Sequence, residues 1–194
     1  MKAFKFLSLI AASVAVLSCI SVQASSLSSE DGTDANGTVI NLTSQNVKGG
    51  NLMPQNVSGF NGATRPGGVV GNWLAGQPGS NAVLSLVNIA NGIYGYSDVS
   101  FLWGTPDDYN TLIVTQKNGA KTTLSSGMFD WTANGYVNIK ESGSPIVSLT
   151  FESTSPSFEA ANFEGTVVPE PTSIALLALG LLGLTAIRRK SNNM

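Results

Sequence analysis

The sequence predicts an all-β fold: a single antiparallel β-sandwich or jelly-roll-like domain, flanked by an N-terminal signal-peptide helix and a C-terminal hydrophobic helix. Three observations predict it. From Asn81 onward, short β-branched and aromatic runs are separated by turn signals, roughly one every ten residues. Asn-Gly pairs at 91–92, 118–119 and 134–135 supply the positive-φ chemistry that hairpins need. Between the two apolar ends, no stretch repeats its apolar residues with the period of a helix.

The elements follow in order. Lys2 and Lys5 precede an apolar run at 6–20, and Val22-Gln23-Ala24 places small or modest side chains where a signal peptidase reads. Residues 1–24 are therefore a Sec signal peptide, cleaved between Ala24 and Ser25. Cys19, after Val16-Leu17-Ser18, loosely resembles a lipoprotein acylation site, though Leu17 fits poorly there. Residues 25–37 are polar, small and acidic, an expected disordered spacer. Residues 38–166 make the β domain. Its first part, 44–80, is rich in Gly, Asn and Pro with isolated anchors such as Leu52, Met53, Phe60 and Trp73. Only Val69-Val70 and Trp73-Leu74 look able to join a sheet. Strands are then expected at 82–89, 96–103, 110–116, 121–124, 128–131, 136–140, 146–151 and 157–163, with Val99, Phe101 and Trp103 on one face.

The C-terminal end has a different character. Pro169-Glu170-Pro171 precedes an apolar stretch at 174–187, then Arg188-Arg189-Lys190 and a polar end at 191–194. A bilayer core of about 30 Å takes about 20 apolar residues. This run has 14, about 21 Å at 1.5 Å per residue. The basic triplet stays cytoplasmic by the positive-inside rule. Proline on both sides of Glu170 holds that stretch extended, as a peptidase substrate requires. A motif, a short apolar run and a basic stop fit a removable signal better than a lasting anchor.

Residues 167–190 resemble the PEP-CTERM sorting signal of Gram-negative bacteria, with Val168-Pro169-Glu170-Pro171 as the motif and Arg188, Arg189 and Lys190 as the stop. The resemblance implies export, transient residence in the inner membrane, processing by exosortase, and final residence at the cell surface or in the extracellular matrix. Exosortase is a membrane-embedded cysteine peptidase or transpeptidase of bacteria that make exopolysaccharide. Within the body, the segment from Phe101 to Leu112 is similar to an F-x-W-G-S-x-D-x-Y-N-x-L pattern of exosortase-dependent surface proteins. Residues 157–163, with Phe158, Glu159 and Asn162, resemble the strand that closes such domains. Ala161 stands where that pattern has an acidic residue.

The first of these segments carries the candidate ligand loop. Asp107, Asp108 and Asn110 offer oxygens of the kind calcium takes, and Trp103 and Tyr109 offer flat faces suited to sugars. The competing reading is a tight turn, in which Gly104 and Pro106 set the backbone, Asp and Asn bond nearby amides, and the two aromatics pack together. The turn is the expected reading, and no metal site is assigned. Asp31 to Gly37 resembles part of a calcium loop, but its register puts Thr43 where an acidic ligand is needed.

Charge and composition remove several functions. Residues 25–168 hold five basic side chains (Lys48, Arg65, Lys117, Lys121, Lys140) against eleven acidic ones. Such a body lacks the cationic surface that nucleic acid binding requires. The chain has no histidine, and its one cysteine lies in the signal peptide. His-based triads and the usual zinc-hydrolase sets therefore cannot form. Gly95-Tyr96-Ser97-Asp98-Val99 starts like a nucleophile elbow but lacks the closing glycine. A glycosidase pair drawn from Asp98, Asp107, Asp108, Asp130 and Glu141 would need acids that are not simply solvated. The expectation is a non-enzyme without catalytic residues or cofactors, whose partners are signal peptidase, exosortase and exopolysaccharide. The alternative is a carbohydrate-binding module, calcium-assisted or not, using the Trp103–Asn110 region or exposed Trp73 and Trp131. Burial of those tryptophans would favour the first reading.

Overall fold

The computed structural model describes residues 27–32, 37–129, 134–168 and 180. Ala24, Ser25, Cys19, Asp130, Trp131, the motif Pro169-Glu170-Pro171, all of the 174–187 run but Gly180, and the basic triplet lie outside the described residues. Among the described residues, no helix is long and apolar enough to cross a membrane.

Among the described residues, fourteen strands appear in chain order. The first seven are β1 (Leu27–Gly32), β2 (Thr38–Val39), β3 (Val47–Lys48), β4 (Asn51–Met53), β5 (Gly59–Phe60), β6 (Ala63–Thr64) and β7 (Trp73–Gly76). The rest are β8 (Ala82–Ser85), β9 (Tyr96–Trp103), β10 (Asn110–Gln116), β11 (Lys121–Ser125), β12 (Gly135–Glu141), β13 (Ile146–Ser153) and β14 (Phe158–Val167). Every described pairing is antiparallel. One run of strands goes β1-β12-β9-β14, with β2 and β7 sharing the far side of β14 and β4 beyond β7. A second run goes β11-β10-β13-β8-β3. A single pair, Ile146 with Tyr96, stitches the two runs into one nearly closed sheet.

The main core lies between those runs. It takes Val99, Phe101, Trp103, Val137, Ile139, Phe158 and Phe163 from the first run, and Leu84, Leu112, Val114, Ile146, Leu149 and Phe151 from the second. Its centre is aromatic. Trp103 stacks on Phe158 at 4.2 Å and Phe101 on Phe163 at 5.2 Å, while Phe151 meets Phe101, Phe158 and Phe163 edge-on at 5.6, 5.0 and 5.8 Å. Offset stacks and edge-on contacts each add about 0.5–1.5 kcal/mol beyond area burial.

The strands differ from the expected ones in several places. Residues 27–32, expected to be disordered, pair residue for residue with β12 from Leu27↔Glu141 to Gly32↔Tyr136. Ladder bonding uses backbone groups alone, so a polar composition does not prevent it. The 44–80 stretch is more ordered than its isolated anchors suggest. It forms β3 to β7 and lays Met53, Ala63, Val69, Trp73 and Ala75 over Leu102 and Ala161 as a second core. That layer covers the outer face of β9, so Leu102, expected opposite the core face, is buried as well. Val69-Val70 does not join a sheet; Val70 is 76% exposed. The 82–89 run ends as a strand at Ser85 and turns through a short 3₁₀ segment, Ile89–Asn91, closed by Gly92 at φ 70°. At the start of the expected 128–131 strand, Met128 instead ends a second 3₁₀ turn, Ser126–Met128, and the Ser126 hydroxyl donates to the Asp107 carbonyl at 2.9 Å; residues 130–131 lie outside the described residues.

Phe101→Ala is expected to lower the unfolding free energy of the exported body by about 3–5 kcal/mol in urea titrations. Val70→Ser, at an exposed site, is expected to stay within about 0.5 kcal/mol of the parent.

Candidate functional site

The Trp103–Asn110 loop leaves β9 and enters β10, and the start of β14 lies against it. Trp103 pairs with Ala160 across the ladder, and the Gly104 amide donates to the Glu159 carbonyl at 2.7 Å. A Cβ on Gly104 would sit 2.8 Å from the Glu159 Cβ, so only glycine admits that approach. Within the loop, the Asp107 amide donates to the Thr105 carbonyl and the Asn110 amide to the Asp107 carbonyl, both at 2.9 Å. These bonds make the tight turn.

The five sequence-predicted ligand residues do not converge on one open surface. Trp103 is fully buried in the aromatic core. Asn110 is fully buried too, and its amide nitrogen donates to the Thr105 and Ser157 carbonyls at 3.1 and 3.2 Å. Its amide oxygen accepts from the Ser153 hydroxyl at 2.8 Å. Asn110 is thus a pin between three segments, buried away from any open ligand surface. The Tyr109 hydroxyl donates to the Pro156 carbonyl at 3.1 Å. Burial pushes its phenol up to about 12, with the Asp107 carboxylate adding to the shift. Asp108 is exposed and Asp107 half-buried. Among the described residues, no three carboxylate, thiol or imidazole groups cluster as a metal site.

The closing strand β14 holds residues to which sequence reasoning assigned no role. Glu159 is 3% exposed. One carboxyl oxygen accepts from the Ser157 hydroxyl at 2.6 Å and the Thr64 amide at 3.1 Å; the other has no hydrogen-bond partner among the described residues. Burial pushes its carboxyl up, opposed by those two bonds and reinforced by the Asp107 charge. Asn162 sits at φ 51°, a left-handed conformation that Asn tolerates, within the irregularity between Ala161 and Glu164. Its side chain accepts from the Val70 amide at 2.7 Å and donates to the Gly68 carbonyl and the Tyr136 hydroxyl at 2.9 Å each. The F-E and N of the closing pattern marked both residues, but spacing alone carried no sign of their burial.

Of the other acids named in the sequence, Glu141 and Asp98 are engaged. Both oxygens of Glu141 accept bonds, one from the Gly143 and Ser144 amides at 2.6 and 2.9 Å, the other from the Gln116 side chain. Ser97 lies inside β9, and its hydroxyl donates to the Asp98 carboxylate at 3.1 Å. Trp73 is fully buried, its indole nitrogen donating to the Val57 carbonyl at 3.2 Å.

A groove of about 480 Å³ opens elsewhere, between the 39–46 segment, the end of β8 and the start of β9. Ile40, Leu86, Ile93 and Tyr96 line it together with the amide residues Asn41, Gln45, Asn46, Asn88 and Asn91, the Asn46 side chain being bonded to Thr43 and the Asn41 carbonyl. Among the described residues, no charged one lines it.

The folded body runs directly into the tail. Val167 is the last residue of β14, and the Val168 amide donates to the Gly95 carbonyl at 2.9 Å. Residues 167–190 match the family model described as the PEP-CTERM protein-sorting motif. No curated protein and no solved structure matches the chain.

Because its folded-state carboxyl is raised, Glu159 contributes stability that is fully present below its ordinary 4.5 and lost as pH rises through the higher folded-state value. Urea midpoints of Glu159→Gln relative to the parent are expected to improve from pH 4 to pH 7. A constant difference across that range contradicts the burial assignment.

Proposed function

We propose that this chain, a PEP-CTERM sorting-signal protein, is a non-enzymatic surface or matrix component retained with the exopolysaccharide of a Gram-negative cell. The observation that carries the reading is the sorting segment at 167–190, joined without a spacer to a compact β body. The tail brings an exported chain to exosortase. The body supplies the material displayed. Its candidate loop is used up in packing: Trp103 and Asn110 are buried, and the Tyr109 hydroxyl bonds the Pro156 carbonyl. The 14-residue apolar run holds the chain at the inner membrane only until it is cut.

Intact mass of protein recovered from the cell surface tests this directly. Chains are expected to start at Ser25 and end between Pro169 and Thr172, any excess mass identifying an attached group. Replacing Pro169, Glu170 and Pro171 together with alanine is expected to leave the full tail in the inner-membrane fraction. Unchanged release of that variant contradicts recognition of the motif.

Carbohydrate binding is the second reading, and the amide-lined groove favours it over the Trp103 loop. An uncharged lining of amide and apolar residues suits a neutral sugar, and the volume lies within the range of small-ligand clefts. Asn88→Ala with Asn91→Ala is expected to weaken calorimetric binding of neutral exopolysaccharide fragments about tenfold. The same affinity in parent and variant removes the groove as the site.

A further inference from the structure

The end of β14 is held differently from its middle. On one side, β2 pairs only with Glu164 and Gly165 among the described residues. Beyond Gly165 the described ladder is one-sided: Thr166 pairs with Asp98 and Val167 with Tyr96. A register irregularity falls between those two pairs, where Ser97 is the extra residue of β9. The last described backbone bond runs from Val168 to Gly95, one residue before Pro169.

Two constraints meet at this point. A peptidase holds its substrate as an extended strand on both sides of the scissile bond, and backbone groups already bonded to β9 cannot also bond the enzyme. Reach is the other constraint. Five residues, 169–173, separate the last bond from the apolar run at Ile174, a span of at most about 17 Å. With β14 fully paired, a membrane-embedded enzyme has only that gap between the bilayer and a folded domain. Releasing Thr166–Val168 lengthens the tether to eight residues, about 27 Å.

We propose that the sorting peptidase acts on a conformer in which Thr166–Val168 has left β9, so that the final turn of the strand ladder gates cleavage. The inference rests on the sorting reading above. The body stays folded in this conformer, because β14 from Phe158 to Gly165 keeps its pairs with β7, β9 and β2. Val167 packs only partly against the core, and Thr166 is exposed, so little buried surface opposes the release.

Two variants of the full chain, followed by pulse-chase in cells that contain the peptidase, test the gate. Inserting Ser-Gly-Ser-Gly-Ser-Thr-Val-Val after Val168 leaves β14 whole and repeats the native residues before Pro169 outside the ladder. Its tail is expected to be removed about tenfold faster than the parent's, the equivalent of one or two net hydrogen bonds. Thr166→Cys with Asp98→Cys places a disulfide across a directly paired position, in a body with no other cysteine. The oxidised form is expected to be cut at least about tenfold more slowly than the parent, with the rate restored by dithiothreitol. Equal rates for parent, insertion and oxidised disulfide overturn the gate while leaving sorting intact. A parent chain that keeps its tail removes the sorting reading and the gate together.

Discussion

The antiparallel pairing of β14 with β9 is the interaction on which the rest of the molecule depends. It brings Trp103 against Phe158 and Phe101 against Phe163, which makes the centre of the core. It seats the Gly104 turn on the Glu159 backbone. Along its outer face, Leu102 and Ala161 carry the second core, supplied by the Gly- and Asn-rich 44–80 stretch. The two strands are far apart in the chain, so their meeting closes a long loop whose entropic cost only tight packing can offset. The two similar sequence segments, at 101–112 and 157–163, are therefore two halves of one packed unit.

This changes what those segments mean. Read along the chain, Trp103, Asp107, Asp108, Tyr109 and Asn110 have the chemistry of a ligand loop. In the fold, the aromatic residue points into the core, and Asn110 spends its amide on three carbonyl and hydroxyl partners. A buried amide left without such partners costs about 1–3 kcal/mol, so a polar residue at that position reflects the turn it holds. Glu159 is less fully satisfied. One of its oxygens is buried without a described partner, and its raised carboxyl is the physical consequence.

Much of the fold was legible in the sequence. The expected bounds of the strands at 96–103 and 110–116 are those of β9 and β10, because β-branched and aromatic runs there end at Gly104-Thr105-Pro106 and Asn118-Gly119. Composition misled where backbone pairing decides. Leu27–Gly32 is polar, yet follows β12 for six pairs. Residues 44–80 hide a small core behind glycines, since Ala63, Ala75 and Ala161 let the layers approach without large side chains. The amide groove was invisible in the sequence, because Asn41 and Asn88 look like ordinary loop residues until the fold brings both to one groove. The tail was the reverse case, a linear signal that needs no fold to be read.

The account's central claim is that one strand both completes the core and delivers the tail, tightly held along its middle and loosely at its end. Residue-resolved amide hydrogen exchange on the full chain tests it most directly. Amides of β14 up to Gly165 that bond within the ladder are expected to exchange only through global unfolding, while those of Val167 and Val168 exchange through local opening, orders of magnitude faster. Equal protection from the middle of β14 through Val168, or fast exchange along the whole strand, would contradict the account.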